Sequence, residues 1–164
     1  MPVYEHLYLP AFAMVTNAST AAVDGGVFAL VAADAANTFF DYTFRLPSSY
    51  VPGTNVGIYA EWCGLAAGTS NVVLRNLYGC AAVGEELVQA DSSDYTAAAG
   101  GDGVLVRTTF DDIPGDDLVK GSTIIGAVTR RGADASDTFA ASIALMGVGL
   151  IFRREGVGRE VRHP

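Results

Sequence analysis

The chain has 164 residues, half of them apolar and 17% charged, with a formal net charge of −8. That length fits one domain with a single core, and the composition excludes a disordered tail. The negative surface repels phosphate backbones and acidic headgroups, which excludes nucleic acid and membrane as main partners.

In chain order, VYEHLYLP (3–10) alternates apolar and polar positions, and GGVFALVA (25–32) is a short apolar run, so both read as strands. In FDYTFRL, Phe40, Tyr42, Phe44 and Leu46 share one face. Pro47 and PSSYVPG then break the ladder. VGIYAEW follows, with Val56, Ile58, Ala60 and Trp62 on one side, and GLAAGTS forms a loop. NVVLRNLY sets Val72, Leu74, Asn76 and Tyr78 against Val73, Arg75 and Leu77. VGEELVQ holds the one candidate helical turn, and DSSDYTAAAGGDG reads as a polar loop. VLVRTTF alternates again, and DDIPGDD is a turn centred on Pro114-Gly115. Two long strands, STIIGAVTR and FAASIALMGVGLIFR, end the pattern, separated by the loop Arg130–Phe139.

Antiparallel strands with one apolar face each must bury those faces together. The expected fold is therefore an all-β antiparallel sandwich of jelly-roll type, with about eight strands. An immunoglobulin-like order is excluded because Trp62 directly precedes Cys63. The domain is expected over 1–152, with residues 1–20 as an arm or first strand. Residues 153–164 form a basic tail, where four arginines oppose two glutamates. No basic n-region of a secretion signal opens the chain and no apolar stretch is long enough to span a bilayer, so a soluble protein is expected.

The charged loop offers Arg130, Arg131, Asp134, Asp137 and Thr138. Its arginines and aspartates can pair across the turn, or at a subunit contact where bidentate forks set register. Catalysis is not expected: the only histidines are His6 and His163, and no Ser–His or Cys–His dyad is evident. The carboxylates Asp111, Asp112, Asp116 and Asp117 could supply hard oxygen ligands to calcium, the alternative at this turn, but they sit in a solvated turn whose spacing matches no EF-hand, so no metal is expected. AAAGGDG lacks the Lys and following helix of a phosphate cradle, and no cofactor is expected. Cys63 and Cys80 lie near the ends of expected neighbouring strands, read as two buried free thiols with a disulfide as the alternative. Tyr4, Tyr8, Tyr50, Tyr59, Trp62, Tyr78 and Tyr95 are read as sandwich packing rather than a sugar platform.

Three blocks, YLPAFAM, FRLPSSYVPGTNVGIYAEW and VTRRGADASDTFAASIALMGVGLIF, resemble a family of small jelly-roll virion structural proteins of tailed bacteriophages and prophages. In that family an Arg–x–x–Ala–Asp–x–x–Asp–Thr loop precedes a final strand. The matching residues here are Arg130, Ala133, Asp134, Asp137 and Thr138, followed by Leu145, Gly147 and Val148. The basic tail departs from the family pattern. The resemblance implies a non-enzymatic homotrimer on the capsid exterior, a decoration (cement) protein bound to the major capsid protein. Tyr4 and Tyr8 of the N-terminal segment, and Arg153, Arg154, Arg159 and Arg162 of the tail, are then the candidate shell contacts. The alternative is the receptor-binding head of a tail fibre or spike, with a host surface glycan as partner.

Overall fold

The computed structural model describes residues 2–16, 19–23, 27–33, 37–90 and 94–155. In chain order its strands are β1 (Val3–Pro10), β2 (Val15–Thr16), β3 (Ser19–Val23), β4 (Val27–Ala32), β5 (Asn37–Arg45) and β6 (Val56–Gly64). β7 (Asn71–Ala81), β8 (Val88–Ala90), β9 (Asp94–Ala98), β10 (Leu105–Thr109), β11 (Thr123–Arg131) and β12 (Ile143–Arg154) follow. They form two antiparallel sheets of six. The front sheet runs β10-β6-β12-β4-β3 with β1 also on β12; the back sheet runs β2-β5-β11-β7-β8 with β9 also on β7. The all-β sandwich is as expected from the alternation, but with twelve strands among the described residues rather than about eight.

The alternating positions supply the core. Phe40, Tyr42, Phe44, Val56, Ile58, Ala60, Trp62, Leu74, Ile124, Val128, Leu145, Val148, Leu150 and Phe152 all pack in one buried cluster between the sheets. Two side-chain hydrogen bonds satisfy polar groups there: the Trp62 indole N–H donates to Thr108 Oγ1 at 2.9 Å, and the Tyr42 hydroxyl donates to Asn76 Oδ1 at 2.8 Å. Burial pushes the Tyr42 phenol far above its ordinary range.

β12 is the spine of the front sheet. β6 pairs along one side of it, while β1 (on Gly147–Arg154) and β4 (on Ile143–Leu145) share the other side end to end. Its pairing with β6 shifts register between Leu145 and Gly147, leaving Met146 as the extra residue of a β-bulge. The bulge keeps Leu145 and Val148 both facing inward, although they are three residues apart.

Several expectations are corrected. VGEELVQ is not helical: a turn over 83–85 leads into β8, and the 3-10 turn lies at Ala11–Ala13 instead. DSSDYTAAAGGDG is not all loop, because β9 pairs with β7 from Asp94 to Ala98. The last strand begins at Ile143, so Phe139–Ser142 belong to the preceding loop. Arg153 and Arg154 are strand residues rather than tail. Cys63 and Cys80 lie in opposite sheets, on β6 and β7, and both are free thiols that burial pushes up in pKa.

Candidate functional site

The charged loop is a structural staple within the chain. Arg130 is fully buried, pointing from β11 into the sandwich. Its Nε and Nη2 donate to the two Asp137 carboxylate oxygens at 3.0 and 2.8 Å. Nη1 donates to the carbonyls of Ala32 (3.2 Å) and Ala141 (2.6 Å), and Nη2 to that of Phe139 (2.6 Å). All five guanidinium N–H groups are thereby used. Asp137 also accepts the Val73 N–H at 3.1 Å, and Thr138 Oγ1 accepts the Asn71 N–H at 3.1 Å. The loop is thus tied to the end of β4 and the start of β7. Asp134 only closes its own turn, accepting the Ser136 N–H at 2.8 Å, and Arg131 projects to the opposite side of β11, half-buried. The Arg130–Asp137 pair at its centre is closed to solvent, the two side chains 0% and 1% exposed.

The outer face of the front sheet is different. Cross-strand register places Tyr8, Gly149, Tyr59 and Thr109 in one row, and Gly147, Glu61 and Arg107 in the next. The glycines matter because the rings of neighbouring strands lie flat over them. A Cβ at Gly147 would stand 2.6 Å from the Tyr8 ring, and one at Gly149 would overlap the Tyr59 ring. Tyr59, only 3% exposed, is roofed by the Arg107 guanidinium, 4.2 Å from the ring centroid. Arg107 is also anchored to Glu61 Oε1 through Nη2 (2.6 Å) and Nε (3.1 Å). A cation over an aromatic face and in an ion pair is held in one orientation, with its outer surface free.

Tyr8 completes this shelf. Its ring is 45% exposed, and burial of its hydroxyl, followed by the charge and hydrogen bond of Glu61, pushes the phenol up to about 12. His6 meets the edge of Tyr59 with centroids 6.3 Å apart. Further along β1, Tyr4 (60% exposed) lines a groove of 440 Å³ with Gly57, Thr109, Asp112, Ile151 and Arg153. An exposed ring, a fixed guanidinium, two carboxylates and a groove therefore share one flat sheet face.

The sequence reading that these aromatics mostly pack the sandwich holds for Tyr50 and Trp62, which are in the core. It is corrected for Tyr4 and Tyr8, which are exposed, and for Tyr59, which is buried on the outer face instead. It missed Glu61, Arg107 and the paired glycines; the available signal was Gly147 and Gly149 two apart on one strand face. Arg159 and Arg162 lie outside the described residues. The exposed Asp116 and Asp117 line a separate 650 Å³ concavity with Glu85 and Glu86. Among the described residues, no group of three or more His, Cys, Asp or Glu is arranged to hold a metal ion, and no helix is long and apolar enough to cross a membrane.

No family model and no curated protein matches this chain. Among solved structures, the chain is similar to a family 35 carbohydrate-binding module from Clostridium thermocellum. Identity is 14% over 89% of this chain and 97% of that one, with a TM-score of 0.56. It is also similar to a family 35 module of Cellvibrio japonicus Abf62 (11% identity, 92% and 99% covered, TM-score 0.48). A third is a family 36 module in complex with calcium and xylotriose (15% identity, 90% and 98% covered, TM-score 0.45). At these identities the first likeness establishes a shared jelly-roll sandwich fold and nothing finer.

Proposed function

We propose that this protein is a non-catalytic saccharide-recognition domain whose binding surface is the outer face of the front sheet. The observation that carries the reading is the shelf of Tyr8 and Arg107, fixed by Glu61 and Tyr59 over a glycine floor. A sugar ring has an apolar C–H face, which packs on an exposed aromatic ring, and a belt of hydroxyls, which pair with guanidinium and carboxylate groups. Preorganisation lowers the ordering cost of binding, because Arg107 and Tyr8 are already held before a ligand arrives. The fold likeness to carbohydrate-binding modules supports the same direction. The groups of this face, Tyr8, Arg107 and Glu61, are read as binding and orienting a ligand.

The resemblance of three sequence blocks to phage virion proteins supports a virion setting, and the shelf favours the receptor-binding head of a tail fibre or spike within it. Capsid decoration, with a homotrimer on the major capsid protein, is the rival that those same blocks support. A glycan array followed by calorimetry tests the saccharide reading. Wild type should bind a defined glycan, and Tyr8→Ala and Arg107→Ala should each weaken it about tenfold or more, the scale of a lost anchor. An array without hits, or variants that bind as wild type does, overturns the reading. Labelling of this chain over the whole capsid shell, rather than at the tail, would favour decoration.

A further inference from the structure

β1 is an edge. It pairs with β12 on one side only, and among the described residues no strand pairs with its other side. It is eight residues long with no lysine, no bulge in its pairing and proline only at its last position. An unguarded edge of that length presents a row of main-chain donors and acceptors to any strand that can complete it. Three of the large exposed apolar side chains of the protein also lie on it: Val3 (47%), Tyr4 and Tyr8.

The sequence of the strand indicates what completes it. Val-Tyr-Glu-His-Leu-Tyr-Leu is nearly symmetric about His6: tyrosines stand two residues away on each side, and Val3 and Leu9 three away. We propose that β1 pairs antiparallel with β1 of a second copy across a two-fold axis at His6, joining two front sheets into one. In that register Tyr4 lies opposite Tyr8 of the second copy, twice by symmetry, and Val3 opposite its Leu9. Directly opposed residues share a sheet face, so both Tyr–Tyr pairs form on the outer surface, and aromatic cross-strand pairs stabilise a sheet. Centring on Glu5 instead would set two carboxylates against each other, and a one-residue slip of either strand would flip its faces. In the His6-centred register Glu5 meets Leu7, and its carboxylate is engaged within its own chain by Ser49 Oγ (3.3 Å) and Arg154 Nε (3.8 Å). The pairing is isologous, the usual symmetry of two-copy assemblies.

Sedimentation velocity over a concentration series tests this. Wild type is expected to move from 17.0 kDa towards twice that mass as concentration rises. His6→Asp puts like charges face to face at the axis and should weaken association roughly fivefold or more, whereas His6→Phe should retain it. Tyr4→Ala, which removes both aromatic pairs at once, is the independent variant and should also favour the single copy. His6 and Tyr4 are exposed, so far-UV dichroism should stay as in wild type. A wild type that remains at 17.0 kDa throughout, a three-copy mass, or association indifferent to His6→Asp and Tyr4→Ala overturns the proposal. None of these readouts depends on a saccharide.

Discussion

Replacing Arg130 with methionine removes five donated hydrogen bonds and leaves the Asp137 carboxylate, 1% exposed, with the Val73 N–H as its remaining partner. Breaking one side of a buried ion pair costs about 3–5 kcal/mol, because the surviving charge stays desolvated. A domain is stable by only about 5–15 kcal/mol, so Arg130→Met should remove about a fifth or more of the total. For a chain of this size the melting point should fall by roughly 2–4 °C per kcal/mol. Asp137→Asn should cost a similar amount, stranding the guanidinium instead. The double variant holds no buried charge and should be better than the sum of the singles by about 1–3 kcal/mol, the coupling of residues in direct contact. Arg130→Lys keeps the charge but has three donors in place of a planar fork, and should fall between. Trp62, the only tryptophan and fully buried, reports unfolding in urea. The midpoint should move while the slope stays constant. A loss below about 1 kcal/mol for Arg130→Met, or strict additivity in the double, would refute the staple.

Gly149→Val should force the Tyr59 ring off the sheet at a cost of about 1–3 kcal/mol and abolish saccharide binding, checked by melting and by the same glycan titration. Tyr8 should titrate near pH 12, and Glu61→Gln should bring it back towards the ordinary 10.0, followed by tyrosine ring NMR. Because the folded pKa is raised, the contribution of neutral Tyr8 is complete below pH 10 and disappears as pH rises to about 12. Tyr42→Phe leaves the buried Asn76 amide without its hydroxyl partner and should cost about 1–3 kcal/mol by urea midpoint. Adding Asn76→Leu should recover most of that loss, and no recovery would show that the pair is not the cause.

The strand faces of β5, β6 and β7 are readable from alternation alone, since Phe40, Tyr42, Ile58, Trp62 and Leu74 each recur at period two and each is buried. β1 defeats that rule because both of its faces carry large side chains. Only its pairing with β12 tells that Leu7 and Leu9 turn inward and Tyr4 and Tyr8 outward. β9 is hidden for the opposite reason: its alanines leave little contrast between faces, and pairing with β7 makes it a strand. Glu61 and Arg107 look like ordinary solvent-facing charges, since their meeting depends on β6 and β10 being neighbours across 46 residues of chain. The short separation of Arg130 and Asp137 makes their pairing legible. Its depth is not, because the carbonyl of Ala32 comes from a strand 98 residues away.

The bulge at Met146 joins two stretches of β12 whose inward positions fall on opposite sequence parities, Leu145 before it and Val148 after it. Deleting Met146 would set Gly147 opposite Glu61 directly after Leu145 opposite Trp62, so unbroken alternation would keep Val148 and Leu150 inward and Gly147 and Gly149 outward without a bulge. Loss of a second residue is what would send Val148 and Leu150 outward and dismantle floor and core together.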